Sequence, residues 1–234
     1  MNAIRITFAL GFILTFVNMH ILLLAATPFE IAPTLQWLET HFQKKAEGVF
    51  EREHLIVQTM VTGVGQTATA FQLGLFFGQS RPSWAINAGI AGTFDAQLNI
   101  GEVVQVVSER FGDLGVEEAN GDFTDVAALG FAATAQYLNP QPPIPLLPAC
   151  HGLSVNKVTG SAASIEKIKE KYPDAQVESM EGAAFFYACL AAGVPFTEIR
   201  SISNRVEPRN RDAWDLSGSI RNLNEVLIGI LDAV

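Results

Sequence analysis

Cysteine is nearly absent from this chain: Cys150 and Cys189 are the only two among 234 residues. Two thiols make neither a disulfide framework nor a zinc cluster, so the core has to hold the fold. Cys189 lies in an apolar, Ala-rich stretch and reads as a small buried hydrophobe. Cationic residues are scarce as well. Lys and Arg number 15 against 24 Asp and Glu, for a net charge of −9. No basic stripe runs along the sequence, which argues against nucleic acid and anionic membrane surfaces as partners. Charged residues make up only 17% of the chain and apolar ones 49%, a balance that excludes disorder and allows a well-buried core. There is no internal repeat and no linker, so this length reads as one domain.

The longest apolar run is at the start. Ile6 to Val17, extended by Ile21 to Ala26, approaches the roughly 20 residues of a membrane span, but Asn18 and His20 interrupt it. Arg5 gives a thin positive flank of the signal-peptide kind. Ile21–Ala26 itself reads as a first buried strand, and cleavage near Ala25-Ala26 would destroy it. Residues 1–18 are therefore read as an apolar extension preceding a cytoplasmic domain at 19–234. A membrane anchor or export signal is the alternative.

Past Met19, strand and helix signals alternate. Strands are expected at Ile21–Ala26, His54–Val61, Trp84–Ala88, Glu102–Ser108, Val155–Thr159 and Phe196–Ile202. Helices are expected at Thr34–Lys45, Thr67–Phe77, Ser164–Tyr172, 180–192 and 213–232 from apolar residues recurring on one face. The stretch 110–150, rich in Pro, Gly and Asp, reads as loops. Such alternation implies an α/β fold with a largely parallel sheet covered on both faces. Ligands bind such sheets beyond the carboxyl ends of the strands.

Three motifs fall at strand ends in this reading. Gly63-Val64-Gly65 follows a strand and opens a helix, where backbone N–H groups can approach a ligand. It lacks the full dinucleotide fingerprint and the Lys of a P-loop, and a tight turn explains it equally well. Gly89-Ile90-Ala91-Gly92 offers small residues that either allow close packing or let a planar base slide against the backbone. The third is the most informative: Met180-Glu181 at the start of an Ala-rich helix, then an apolar run ending in Arg200-Ser201-Ile202-Ser203-Asn204. A carboxylate entering a helix, followed by a strand ending in small polar residues, is one way to build a nucleoside pocket. A helix-start carboxylate complementing the dipole is the plainer reading of Glu181 alone.

Four stretches, LLLAATPFEI at Leu22–Ile31, NAGIAG at Asn87–Gly92, ESMEGAA at Glu178–Ala184 and RSISN at Arg200–Asn204, resemble the nucleoside phosphorylase/nucleosidase superfamily. The resemblance covers about residues 19–234. It is specific to the branch of methylthioadenosine/S-adenosylhomocysteine nucleosidases and futalosine hydrolases, and the two later motifs are similar to the futalosine hydrolase versions. It implies a three-layer α/β/α sandwich with a mixed central sheet, cleavage of a purine nucleoside by water, no metal or organic cofactor, and a homodimer.

The resemblance also implies roles. Glu181 holds the two ribose hydroxyls, with acceptors for both and a negative charge that favours a ribosyl cation. Met180 packs beside the sugar, and Glu30 orients and deprotonates the attacking water. Arg200 holds that carboxylate or the water. Gly65, Ala91, Gly92 and Ser203 line the substrate. Asn204 stands where adenine-specific relatives carry Asp. Adenine presents an amine donor; a 6-oxopurine presents acceptors at O6 and N7, which an amide N–H satisfies and an ionised Asp does not. Hypoxanthine, the base of futalosine, is therefore expected. Arg209 and Arg211, with Arg205, are candidates for a carboxylate on the 5′ tail, and Phe111, Phe123 and Phe131 for its aromatic part. Residues 62–70 and 87–94 contain no Lys or Arg, which favours water over phosphate as nucleophile. An adenine-releasing nucleosidase and a nucleoside-binding module without turnover are the alternatives.

Overall fold

The computed structural model describes residues 19–234; the apolar extension expected over residues 1–18 lies outside them. The described residues build a ten-stranded mixed sheet between two helical layers. Strand β1 (Met19–Ala25) runs parallel to β4 (Leu55–Val61) on one side and to β5 (Trp84–Thr93) on the other. Strand β12 (Phe196–Arg205) continues this parallel set beyond β5. Side chains alternate across a strand, and both faces of β1 are buried. Leu22 and Leu24 enter one core with Leu73, Phe77, Phe185, Phe186 and Phe196. Ile21 and Leu23 enter the other with Leu38, Leu223 and Leu227. Helices α2 (Gln66–Phe77) and α4 (Gly182–Ala192) supply the first layer; α1 (Ala32–His41) and α5 (Leu216–Asp232) supply the second.

Beyond β12 the sheet curls. Strand β6 (Val103–Arg110) pairs antiparallel with β12 and parallel with β10 (Ala149–Ser154). Strand β10 runs parallel to β11 (Val177–Ser179), and β11 returns to pair antiparallel with β5 at Gly92 and Thr93. Five strands thus close on themselves, with α4 packed inside the bend. Helix α3 (Ala162–Lys171) lies outside, joined through Ile165 and Tyr172.

Several elements differ from expectation. The strand expected at Val155–Thr159 lies earlier, at Ala149–Ser154, and 155–159 is loop. Helix α1 stops at His41, because Gln43–Ala46 (β2) pairs with Val49–Arg52 (β3) in an exposed hairpin. Strand β5 does not end at Ala88 but runs through the glycines to Thr93. The 110–150 region carries three short strands: β7 (Gly115–Glu117), β8 (Phe123–Asp125) and β9 (Gln136–Leu138).

Candidate active site

Glu30 closes a 3-10 turn, Pro28–Glu30, just past β1. It is 5% exposed, yet every oxygen is satisfied. Oε2 accepts from the Thr27 N–H at 2.9 Å and its hydroxyl at 2.7 Å, and Oε1 accepts from the Ile90 N–H at 3.2 Å. These donors hold a carboxylate in one orientation beside β5. Glu181 is the N-cap of α4 and also buried. Its Oε1 accepts from the Gly65 N–H at 2.9 Å. Gly65 has φ +97°, a conformation that glycine adopts without strain. The glycine turn therefore meets its partner inside the protein, and serves the site by fixing Glu181.

Arg200 joins the two carboxylates. It has no exposed surface, and its Nε donates to Glu198 Oε1 at 2.8 Å. One terminal nitrogen lies 3.9 Å from Glu181 Oε2. The guanidinium also crosses Gly89 toward Glu30: a Cβ at Gly89 would lie 2.2 Å from Arg200 Nη1 and 2.8 Å from Glu30 Oε1. Both terminal nitrogens lack a hydrogen-bond acceptor among the described residues. Arg200 thus bonds to Glu198 and approaches Glu181 and Glu30 by charge alone. Burial raises the Glu181 carboxyl above its ordinary pKa, while Arg200 and the Gly65 N–H oppose that rise.

Glu198 and Glu109 were not expected in the site. Glu109 is fully buried and accepts from the Ser154 hydroxyl at 2.9 Å, and Ser154 Oγ accepts from the Ala183 N–H at 2.7 Å. Burial and the facing Glu198 push the Glu109 carboxyl well above the usual range. Burial raises Glu198 too, against the pull of Arg200. Glu109, Glu198, Glu181 and Glu30 thus compete for one guanidinium, and burial disfavours their charged forms together. Gly182, which opens α4, fits only because it has no side chain: a Cβ there would lie 2.1 Å from Glu109 Oε1 and 2.7 Å from Glu198 Oε1. A sequence signal existed. Glu198 and Arg200, two apart in a buried strand, share one face, and such a pair in an apolar run needs mutual partners.

Asn204 lies four residues beyond Arg200, past a bulge in β12. Its Oδ1 accepts from the Ser203 hydroxyl at 2.8 Å, and its Nδ2 donates to the Arg205 carbonyl at 2.8 Å. The second N–H is available to a ligand. Ser203 Oγ also lies 3.2 Å from the Ala91 carbonyl, tying both to β5. Gly92 passes beneath: a Cβ there would stand 3.0 Å from Asn204 Nδ2. Asn204 and Gly92 line a cavity with Glu178, Thr159, Arg209 and Trp214. Met180 sits half-buried between β11 and α4.

The arginines separate. Arg205 lines the cavity and also donates to the Asp95 and Ala96 carbonyls, bracing a loop. Arg209 lines the cavity, its guanidinium 5.6 Å from the Trp214 ring centre. Arg211 is exposed in a separate turn and does not line it. The three phenylalanines do not line it either. Phe111 packs on Tyr137, Phe123 lies under Lys171, and Phe131 is 81% exposed.

Residues 20–234 match the phosphorylase superfamily. The chain belongs to that superfamily. A futalosine hydrolase of Acidothermus cellulolyticus is 32% identical over 217 residues, which are 88% of this chain and 86% of its own. A 5′-methylthioadenosine/S-adenosylhomocysteine nucleosidase of Glaesserella parasuis is 26% identical over 75% of this chain and 80% of its own. The native structure of futalosine hydrolase from Helicobacter pylori shares the fold, with a TM-score of 0.75 at 18% identity, covering 93% of this chain and 99% of that one. With these superfamily relatives, the chain is an N-glycosidic hydrolase of the nucleosidase kind.

Proposed function

We propose that the protein hydrolyses futalosine to hypoxanthine and dehypoxanthine futalosine, a step toward menaquinone. One observation carries this reading: the residue facing the cavity beside Gly92 is an amide whose oxygen is already occupied by Ser203, so it presents an N–H. An N–H suits O6 and N7 of a 6-oxopurine, and leaving such acceptors unpaired costs about 1–3 kcal/mol. The futalosine hydrolase relative agrees with it.

In this reading Glu181 receives both ribose hydroxyls and its charge stabilises the cation that develops as the bond to the base lengthens. Glu30 takes a proton from the attacking water. Its three donors leave one of its roughly four lone-pair sites to do so. Arg200, buried beneath them, holds the two carboxylates by charge. Asn204 hydrogen-bonds the departing base at N7. Arg209 meets a carboxylate on the 5′ tail. Water is the nucleophile because the Gly65 N–H, the natural anion donor of this turn, is given to Glu181. The exposed apolar side chains Phe71, Leu75, Tyr187 and Leu190 on α2 and α4 support a homodimer through these helices.

Chromatographic product analysis with futalosine, aminofutalosine, inosine and methylthioadenosine tests the reading. Hypoxanthine release from futalosine should be fastest and independent of phosphate. Faster adenine release would favour the adenine nucleosidase, and a requirement for phosphate would overturn hydrolysis.

A further inference from the structure

We propose that Glu109 is a positioning residue: it and Glu198 carry one proton between them, and that proton lets the start of α4, and with it Glu181, lie against the sheet. This rests on the role given to Glu181 above.

The two carboxyls come from neighbouring strands, β6 and β12, and meet beneath the first residue of α4. A Cβ on Gly182 would lie 2.1 Å from Glu109 Oε1 and 2.7 Å from Glu198 Oε1, so both reach the space that this residue leaves empty. A second glycine, Gly152 of β10, makes room for the same Glu109 oxygen, which would lie 2.2 Å from a Cβ there. That oxygen and Glu198 Oε2 have no hydrogen-bond donor among the described residues, and both residues are fully buried. The other Glu109 oxygen starts a chain into the helix: it accepts from the Ser154 hydroxyl, which accepts from the Ala183 N–H. Gly182 and Ala183 directly follow Glu181.

The charged and titratable groups facing the pair are Arg200 on β12, Glu181 at the start of α4, Cys189 further along it, and Cys150 on β10. Burial pushes both thiols up, so they stay neutral. Arg200 is the one cation of this group, and it also answers Glu181 and Glu30. Two ionised carboxyls facing one another in a dry seam repel, and their bare oxygens draw water in. One shared proton removes the repulsion and still leaves a carboxylate for the Arg200 Nε–H. Burial, and then Glu198, push the Glu109 carboxyl up in the same sense. An acceptor for Ser154 alone needs no acid. When the pair loses its proton, the seam opens at Gly182 and Glu181 moves with it. Affinity for the ribose diol therefore falls as pH rises.

Infrared titration and steady-state kinetics test this together. Wild-type protein at neutral pH should show the C=O band of a buried protonated carboxyl, shifting in heavy water, and Glu109→Gln should lose it. On the alkaline side, wild-type KM for the nucleoside it cleaves should rise about tenfold per pH unit once the pair has lost its proton, with kcat changing less. In Glu109→Gln, whose amide still accepts from Ser154 but does not ionise, that rise should vanish. An alkaline KM profile identical in the two proteins means that Glu109 only holds Ser154, and the inference fails. Absence of a protonated-carboxyl band in the wild type overturns it as well. If Glu109→Gln does not fold, Ser154→Ala decides: the band should persist to higher pH, because the ionised carboxyl has lost a donor, and an unmoved titration overturns the pairing. Wild-type protein that cleaves none of the four nucleosides overturns the proposed function instead, and the infrared titration still decides the pair.

Discussion

Arg200 is a cation with no surface, answered by Glu198 at one nitrogen and facing Glu181 and Glu30 with the others. Replacing it by Ala would leave buried carboxyls without a counter-charge, and the loss should be about 3–5 kcal/mol in chemical denaturation. Glu181→Gln is a milder change in the same place. The amide keeps an acceptor for the Gly65 N–H but loses the charge. Hydrolysis should fall about 100–1000-fold in kcat while the melting temperature holds or rises, since a buried carboxyl is removed. Asn204→Asp should move preference from hypoxanthine toward adenine nucleosides in paired assays; an unchanged ratio would remove Asn204 from base recognition. Glu30, Glu181 and Asn204 were legible as candidates because each sits in a local motif. Glu109 was not: its partners Ser154, Glu198 and the start of α4 come from distant segments, and only folding brings them together.

At the scale of elements, periodicity found β1, α2 and α5, whose buried faces are regular. It failed where small residues carry the strand. The glycines that seemed to end β5 lie within it because tertiary neighbours need their space: Arg200 and Glu30 crowd Gly89, while Val206 and Asn204 crowd Gly92. Likewise β10 contains His151 and Gly152, the latter placed where a Cβ would lie 2.2 Å from Glu109 Oε1. Its pattern was too weak to compete with the apolar Val155 beyond it. These close approaches make a prediction for α4. Gly182→Ala should cost about 1–3 kcal/mol by overpacking and should also lower kcat, since its neighbour Glu181 must shift. Combining it with Glu109→Ala, which opens the space, should recover part of the stability in a double-mutant cycle.

For the whole molecule, the raised buried carboxyls fix the sign of the pH dependence. Glu109, Glu198, Glu178 and Glu181 all hold protons more tightly folded than unfolded. Their contribution is therefore fully present below the unfolded value of about 4.3 and lost as pH rises through the folded values. Asp95, lowered by its bonds to Gln176 and the Gln97 N–H, works in the opposite sense at lower pH. The melting temperature should rise as pH is brought from 8 toward 6, and Glu109→Gln should flatten that rise. An unaltered slope in the variant would mean that Glu109 is not the proton's holder.

The return of β11 onto β5 has a consequence for life in a crowded solution. A sheet normally offers an unpaired margin at each end, and every such margin is a template on which another chain can polymerise. Here one end is sewn back into the sheet, and the other is β2, a four-residue strand whose Lys44 and Lys45 lie at the surface. The fold that gathers the acids around Arg200 thereby also leaves aggregation little to grip, and two lysines guard what remains.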